Sequence, residues 1–295
     1  MVTAALVLML PLFFIGGPDW SAGALHKALW NLGHPLFFGL LVMLVAPRQP
    51  LRGASLWVAT TLAVLLAGLA IELLQGAAHR AADWRDLGRN LTGAWLALAW
   101  CYPPRPRRVR LGLRGATLAF LLVELLVVAE VAARQLRLAQ QLPALYDFRE
   151  AEPALYWSGA GLKPGNQAGA PAGRSLALDL DTGTYSGVTL NNLAGDWQGY
   201  RALRVEVYNP DPQPLTLTLR IHDLQHDRGQ QAYRDRFNRR LVLAPGANRF
   251  VVPLAEIEQA PAGRMMDMAR IRRLGLFASA LPAPRRVYLL DLRLE

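Results

Sequence analysis

Hydrophobic positions follow two different rhythms along this chain. As far as about residue 137 they run in long blocks, at residues 2–17, 28–46, 54–74, 87–102 and 115–133. Blocks of that length, almost free of charge, predict helices that cross a bilayer. The first is short for a span but close to the lower limit. No basic segment precedes it, and no small-residue cleavage site leads into polar sequence, so it reads as a span and not as a secretory signal. The expectation is an all-α transmembrane bundle of five helices over residues 1–142. Beyond it the period changes to two. Leu203-Arg204-Val205-Glu206-Val207 and Leu215-Thr216-Leu217-Thr218-Leu219 alternate strictly, and further β-type runs lie at 175–180, 200–208, 215–222, 248–252 and 286–294. Turn signals such as Asn209-Pro210-Asp211-Pro212 and Ala244-Pro245-Gly246 separate them. Short alternating strands without a long helix predict an all-β antiparallel sandwich, jelly-roll-like, over residues 143–295. The Gly/Ala/Pro-rich stretch 159–173 is expected to be a loop.

Charge sharpens this division. The 295 residues are 53% hydrophobic and 18% charged, with a formal net charge of +10. Of that, +7 belongs to residues 1–145 and +3 to residues 146–295. The basic residues of the first half gather in turns, at Arg48 and Arg52 and again at Arg105, Arg107, Arg108, Arg110 and Arg114. Alternating helices put both turns on one side, which should be cytoplasmic. The second domain is then extracytoplasmic, on the periplasmic side of a bacterial cytoplasmic (inner) membrane. Charge placed for orientation makes a nucleic-acid partner unexpected. The single cysteine, Cys101, excludes an intrachain disulfide.

Polar residues interrupt the apolar blocks in three places. They are Asn31-x-x-His34, then Glu72-x-x-Gln75-x-x-x-His79-Arg80, then Asp83-x-x-Asp86-x-x-x-Asn90-x-x-Gly93. Spacings of three, four and seven put each set on one helix face. All three should meet the same membrane surface, the outer one. Ionisable groups at that depth are expensive unless they have partners or a ligand. The expected ligand-binding set is therefore Asn31, His34, Glu72, Gln75, Arg80, Asp83, Asp86 and Asn90, with Arg80 suited to an anionic headgroup. Other readings stay open. Asp86 suits a helix N-terminus, Glu72 and Arg80 suit a structural ion pair, Gly93 suits close helix packing, and Glu124 suits the pocket or an arginine. The spacing matches no metal motif, and neither a metal nor a cofactor is expected.

The order Glu72, Gln75, Arg80, Asp83, Asp86, Asn90 and Gly93, with His34 upstream, resembles the VanZ-like membrane protein family over about residues 1–102. Trp30-Asn31 stands where that family usually has Asp-Lys. The resemblance implies a helical membrane domain in a family linked with glycopeptide-antibiotic resistance, and supplies no reaction.

The second half resembles a carbohydrate-binding, galactose-binding-like sandwich. The residues that carry the likeness are Trp197-Gln-Gly-Tyr200, Asn209-Pro210, Ile221-His222-Asp223, His226, Tyr233, Arg236-Phe237-Asn238, Gly246-x-Asn248 and Val252-Pro253-Leu254. It implies glycan contacts through Trp197, Tyr200, His222, Asp223, Arg236 and Asn238. Aromatic faces stack on sugars, and polar tips bind hydroxyls. The same aromatics also suit an ordinary core. The function expected is recognition of a lipid-linked or anionic envelope component, with membrane lipid, lipid-linked glycan or carbohydrate as partner. A membrane enzyme acting on a phosphorylated lipid carrier, with His34 or Asp83 as base or nucleophile, is an alternative. A purely structural anchor for the sandwich is another.

Overall fold

The structure is a computed structural model that describes residues 2–9, 23–46, 50–77, 84–159, 161–164 and 174–295, with the side chains of residues 2, 4–6, 72, 75–77 and 164 outside the description. The chain forms two compact units, Met1–Arg134 and Gln135–Glu295.

The first unit is helical. Its elements are α1 (Val2–Met9), α2 (Ala24–Asn31), α3 (Gly33–Val45), α4 (Gly53–Ala77), α5 (Trp84–Cys101) and α6 (Arg107–Gln140). Where one helix was expected over 28–46, α2 and α3 are separated at Leu32. Pro35 explains the break, because it has no N–H to offer the carbonyl four residues back. Three described segments are long and apolar enough to cross a membrane: Ala24–Val45, Gly53–Ile71 and Arg107–Gln140. The block at 87–102 belongs to α5, where Arg85, Asp86, Arg89 and Asn90 lower the hydropathy of the first turns.

Helix α5 is the centre of the unit. It buries Ala94, Ala97 and Leu98 against Phe37, Phe38 and Val42 of α3 and against Leu56 and Val64 of α4. Small residues allow the approach. A Cβ added at Gly93 would lie 2.0 Å from the Pro35 carbonyl oxygen, so the α3 and α5 backbones touch there. One at Gly68 of α4 would lie 2.8 Å from the Asn90 amide nitrogen. By contrast, α6 exposes Leu118, Phe120, Leu122, Val123, Leu125, Leu126 and Val127.

The second unit is a sandwich of two five-stranded antiparallel sheets. The strands are β1 (Trp157–Gly159), β2 (Leu162–Pro164), β3 (Leu176–Leu180), β4 (Tyr185–Leu190), β5 (Ala202–Asn209), β6 (Leu215–Asp223), β7 (Phe237–Leu243), β8 (Gly246–Pro253), β9 (Ile271–Ser279) and β10 (Arg285–Leu294). One sheet has the order β1-β4-β9-β6-β7 and the other β2-β3-β10-β5-β8. The helices α7 (Leu224–Arg228) and α8 (Leu254–Glu258) are single turns. One core fills the space between the sheets. Leu203, Val205 and Val207 of β5 meet Leu217, Leu219 and Ile221 of β6 there, with Leu274 and Leu276 of β9 and Val287 and Leu289 of β10. The alternating runs put their apolar positions inward, as period two requires.

All five expected strand regions are strands, namely β3, β5, β6, β8 and β10. The pattern did not mark β1, β2, β4, β7 and β9. Strand β2 falls inside the stretch expected as loop; residues 160 and 165–173 of that stretch lie outside the described residues. Gly187 and Gly275 interrupt the alternation of β4 and β9, and Phe277 breaks it by facing outward.

Candidate functional site

In the helical unit a chain of polar side chains crosses three helices. His34 of α3 has Nδ1 2.9 Å from Asn90 Oδ1 and Nε2 3.3 Å from Asp86 Oδ2, both on α5. Arg89 donates to Asp86 one turn earlier and, through Nε, to Glu124 Oε2 of α6 at 3.0 Å. The Arg89 side chain is only 7% exposed. Two carboxylates thus hold one buried guanidinium, the arrangement an ionisable group needs at low dielectric. The sequence placed His34, Asp86 and Asn90 together and left Glu124 open. The structure joins all four through Arg89, one turn along α5 from Asp86. Asn31 is half-buried at the end of α2. Glu72 and Gln75 lie on α4, but their side chains are outside the description, and His79, Arg80 and Asp83 lie outside the described residues.

In the sandwich the expected sugar-contacting residues do not form one surface. Trp197 is 1% exposed and its indole donates to the Ala194 carbonyl at 2.9 Å, so it is a core residue with no face left for stacking. Tyr200 is half-buried beside it, at a hollow of about 580 Å³ with Leu254 and Met268. His222 and Asp223, expected at a loop surface, are buried instead. Asp223 caps α7 by accepting from the His226 backbone N–H at 2.9 Å. It also accepts two bonds from Arg264, at 2.6 and 2.9 Å. The same guanidinium reaches Asp235 at 2.6 Å, and Asp235 accepts from His226 Nδ1 at 3.2 Å. His222 Nε2 is 2.9 Å from Asp227 Oδ1. These bonds bind α7 and the turn at Tyr233–Asp235 to the end of β6.

Burial holds the His222 imidazole below its ordinary value, with Asp227 only partly offsetting it. Burial works against ionisation of Asp223, but Arg264 and two backbone N–H groups hold it below the usual carboxylate range. Asp227 is lowered in the same way, burial being outweighed by His222, Arg273 and Arg272. At Asp235 the Arg264 hydrogen bond is the main cause of the lowering.

A groove of about 980 Å³ lies on the outward face of β4, β9, β6 and β7. Its floor follows from strand register. Thr189, Gly275, Arg220 and Asn238 form one rank across the four strands, and Gly187, Phe277, Thr218 and Arg240 form the next. The two glycines leave the floor open. A Cβ at Gly187 would come within 2.4 Å of Phe277 Cβ, and one at Gly275 would meet the Arg220 guanidinium at 3.4 Å. Tyr185 stands at one side, edge to face with Phe277 at 5.8 Å, and is 73% exposed. Tyr233 stands at the other, with Arg236 stacked on it at 5.2 Å. Arg220 lies 6.0 Å from the Phe277 ring. Of the residues expected at a glycan surface, Arg236 lines this groove and Asn238 stands opposite Arg220 in the strand register. Tyr185, Arg220, Arg240 and Phe277 escaped sequence reading because they come from four strands whose register is not local. The polar positions of the alternating run Thr216, Thr218, Arg220 carried the only signal.

The class the fold defines is a two-sheet antiparallel β-sandwich with an open, grooved sheet face, in a chain that also carries a separate helical unit. No protein-family model and no curated protein matches the chain, so the VanZ-like resemblance gains no support from those comparisons. Among solved structures the chain is similar to an agarase, at 16% identity over 52% of this chain and TM-score 0.40; it spans 26% of the agarase chain. It is also similar to the family 11 carbohydrate-binding module from Clostridium thermocellum, solved with a β-1,3-1,4-mixed-linked tetrasaccharide, at 12% identity over 51% of this chain and 94% of that one, TM-score 0.37. A carbohydrate-binding module specific for non-crystalline cellulose, CBM28, aligns at 12% identity over 52% and 93%, TM-score 0.35.

Proposed function

We propose that this chain is a multi-pass protein of the bacterial cytoplasmic membrane that holds a glycan-binding β-sandwich outside the membrane. The groove carries the reading. Tyr185, Phe277 and Tyr233 offer apolar faces for sugar rings, and threonines, Asn238 and arginines beside them offer hydrogen bonds to hydroxyls. The exposed leucines, valines and phenylalanine of α6 favour lipid contact, as does the composition of the three long apolar segments. The arginine-rich turns favour five spans with the sandwich on the periplasmic side. The test is isothermal titration of the full chain in lipid nanodiscs with cello-, agaro- and galacturono-oligosaccharides. Saturable binding that Tyr185→Ala with Tyr233→Ala weakens at least about tenfold supports the reading. Failure of every oligosaccharide to bind the folded protein overturns it.

For the helical unit, the sharing of Arg89 between Asp86 and Glu124 favours an internal tie between helices. Recognition of a phosphorylated lipid headgroup rests on Arg80. Vesicles containing a phosphorylated polyprenol decide between them: binding that Arg80→Ala abolishes assigns the headgroup role. Turnover of that lipid, lost in Asp83→Asn, assigns the enzymatic one.

A further inference from the structure

The two outward faces of the sandwich carry their charges differently. On the face of β2-β3-β10-β5-β8 the arginines are matched by carboxylates. Arg204 meets Asp291 and Glu295 at 2.9 Å each, Arg249 meets Glu206 at 2.7 Å, Arg293 meets Asp291, and Arg286 meets Asp179. On the grooved face Arg220, Arg236 and Arg240 make no ion pair among the described residues. The groove has no carboxylate in its lining. Arg285 at its rim is bound to Asp211 at 3.2 Å, and Asp227 acts on Arg220 only from a distance, beyond one end.

Two of these arginines, Arg220 and Arg236, are also short of hydrogen-bond acceptors among the described residues. The Nε atoms of Arg220 and Arg236 are buried with no hydrogen-bond acceptor, and so is the Asn238 Oδ1 with no donor. Among the described residues the one hydrogen bond of Arg220 goes to the Thr189 hydroxyl, at 3.4 Å. Burial, with Arg236 and Arg273 nearby, holds its guanidinium below the ordinary value. A guanidinium has five donors and does not lose its proton in practice, so a buried donor without an acceptor carries the full cost of desolvation. An anion laid in the groove removes that cost, and does so through the planar, bidentate geometry that arginine offers to carboxylate, sulfate and phosphate.

We propose that the groove on β4-β9-β6-β7 takes an acidic saccharide, with Tyr185, Phe277 and Tyr233 against the sugar rings and Arg220, Arg236 and Arg240 on the anionic substituents. This rests on the glycan-binding reading and adds the charge class of the ligand. The groove crosses four strands, three steps of roughly 4.8 Å, or about 14 Å. That length suits a short stretch of an extended chain and not a lone ion.

The experiment titrates the full chain in nanodiscs with galacturonate, mannuronate and chondroitin-sulfate tetrasaccharides, the methyl ester of the first, cellotetraose, and inorganic sulfate. The expected result is at least about tenfold tighter binding of one or more acidic tetrasaccharides than of the neutral ones, lost as salt rises. Arg240→Gln and Arg236→Gln each weaken binding of the acidic tetrasaccharides several-fold more than binding of cellotetraose. Arg240 is exposed, so its variant reports even where Arg220→Gln fails to fold. Equal affinity for galacturonate and its ester, with no acidic sugar preferred, overturns the acidic class and leaves the glycan reading standing. Inorganic sulfate displacing the acidic sugars, with Tyr185→Ala without effect, reduces the site to an anion site and overturns the saccharide. Absence of binding by every glycan overturns both readings.

Discussion

Arg89 and Glu124 are joined across two helices by a 3.0 Å hydrogen bond from Nε to Oε2, and Arg89 turns its other edge to Asp86. This is the one place where the described structure links the apolar α6 to α5 by paired charges.

Removing that link should loosen the helical unit unevenly. Glu124→Gln keeps a hydrogen-bond acceptor and leaves Asp86 in place, so it should cost about 1–2 kcal/mol. Arg89→Leu strips two part-buried carboxylates of their cation and should cost about 3–5 kcal/mol. Denaturant unfolding in micelles, followed by tryptophan fluorescence, checks the ranking. An equal effect of the two variants would contradict the shared guanidinium.

The contact between Gly93 and Pro35 makes a second comparison. Gly93→Ala places a methyl group 2.0 Å from the Pro35 carbonyl oxygen and should destabilise by about 1–3 kcal/mol, because the helices must part. Gly88→Ala, on the same helix, meets nothing within 4 Å. It should stabilise by up to about 1 kcal/mol through helix propensity. Opposite signs in the same unfolding assay are the expected outcome.

In the sandwich, Arg264 is the cation for Asp223 and Asp235. Arg264→Met leaves the charge of Asp223, fully buried, with two backbone N–H groups and no cation, and should cost about 3–5 kcal/mol. Arg270 is exposed and pairs with Asp267 at 2.5 Å; Arg270→Gln should change stability by less than about 1 kcal/mol. Thermal unfolding of both variants measures the difference.

Acid should weaken the sandwich in two steps. The folded His222 lies below its unfolded value near 6.5, so the unfolded chain takes up that proton first. Stability is then complete above about pH 6.5 and falls as pH drops below it. Asp223, Asp227 and Asp235 are also lowered in the folded state. Their contribution is present above the unfolded carboxylate value near 3.9 and is lost as pH falls through the lower folded values. Unfolding midpoints measured from pH 8 to pH 3 should show both declines, and His222→Gln should remove the first.

The carboxylates and histidine of the helical unit were legible because polar residues inside apolar blocks need a reason to be there. His34, Asp86 and Asn90 could be grouped from helical spacing within each block and the expected alternation of the spans. Arg89 could not, since its role depends on Glu124, thirty-five positions away on another helix. In the sandwich, loop-like spelling misled the reading of Trp197, His222 and Asp223. Aromatic and polar residues near Gly and Pro read the same whether they face solvent or close a core.

Sequence by itself determined the two regimes: apolar blocks on one side of about residue 140, period-two strands on the other. Hydrophobic period is a local property, set by how side chains leave a helix or a strand, and needs no knowledge of partners. Only the tertiary structure decided which polar groups are spent inside the fold and which stand on an open sheet face. Asp223 and His222 are consumed by ion pairs under α7, while Tyr185, Arg220, Phe277 and Arg240 meet on one face through strand pairing. Pairing register is a long-range choice, fixed by the fit of the whole core and not by any residue's neighbours in the chain.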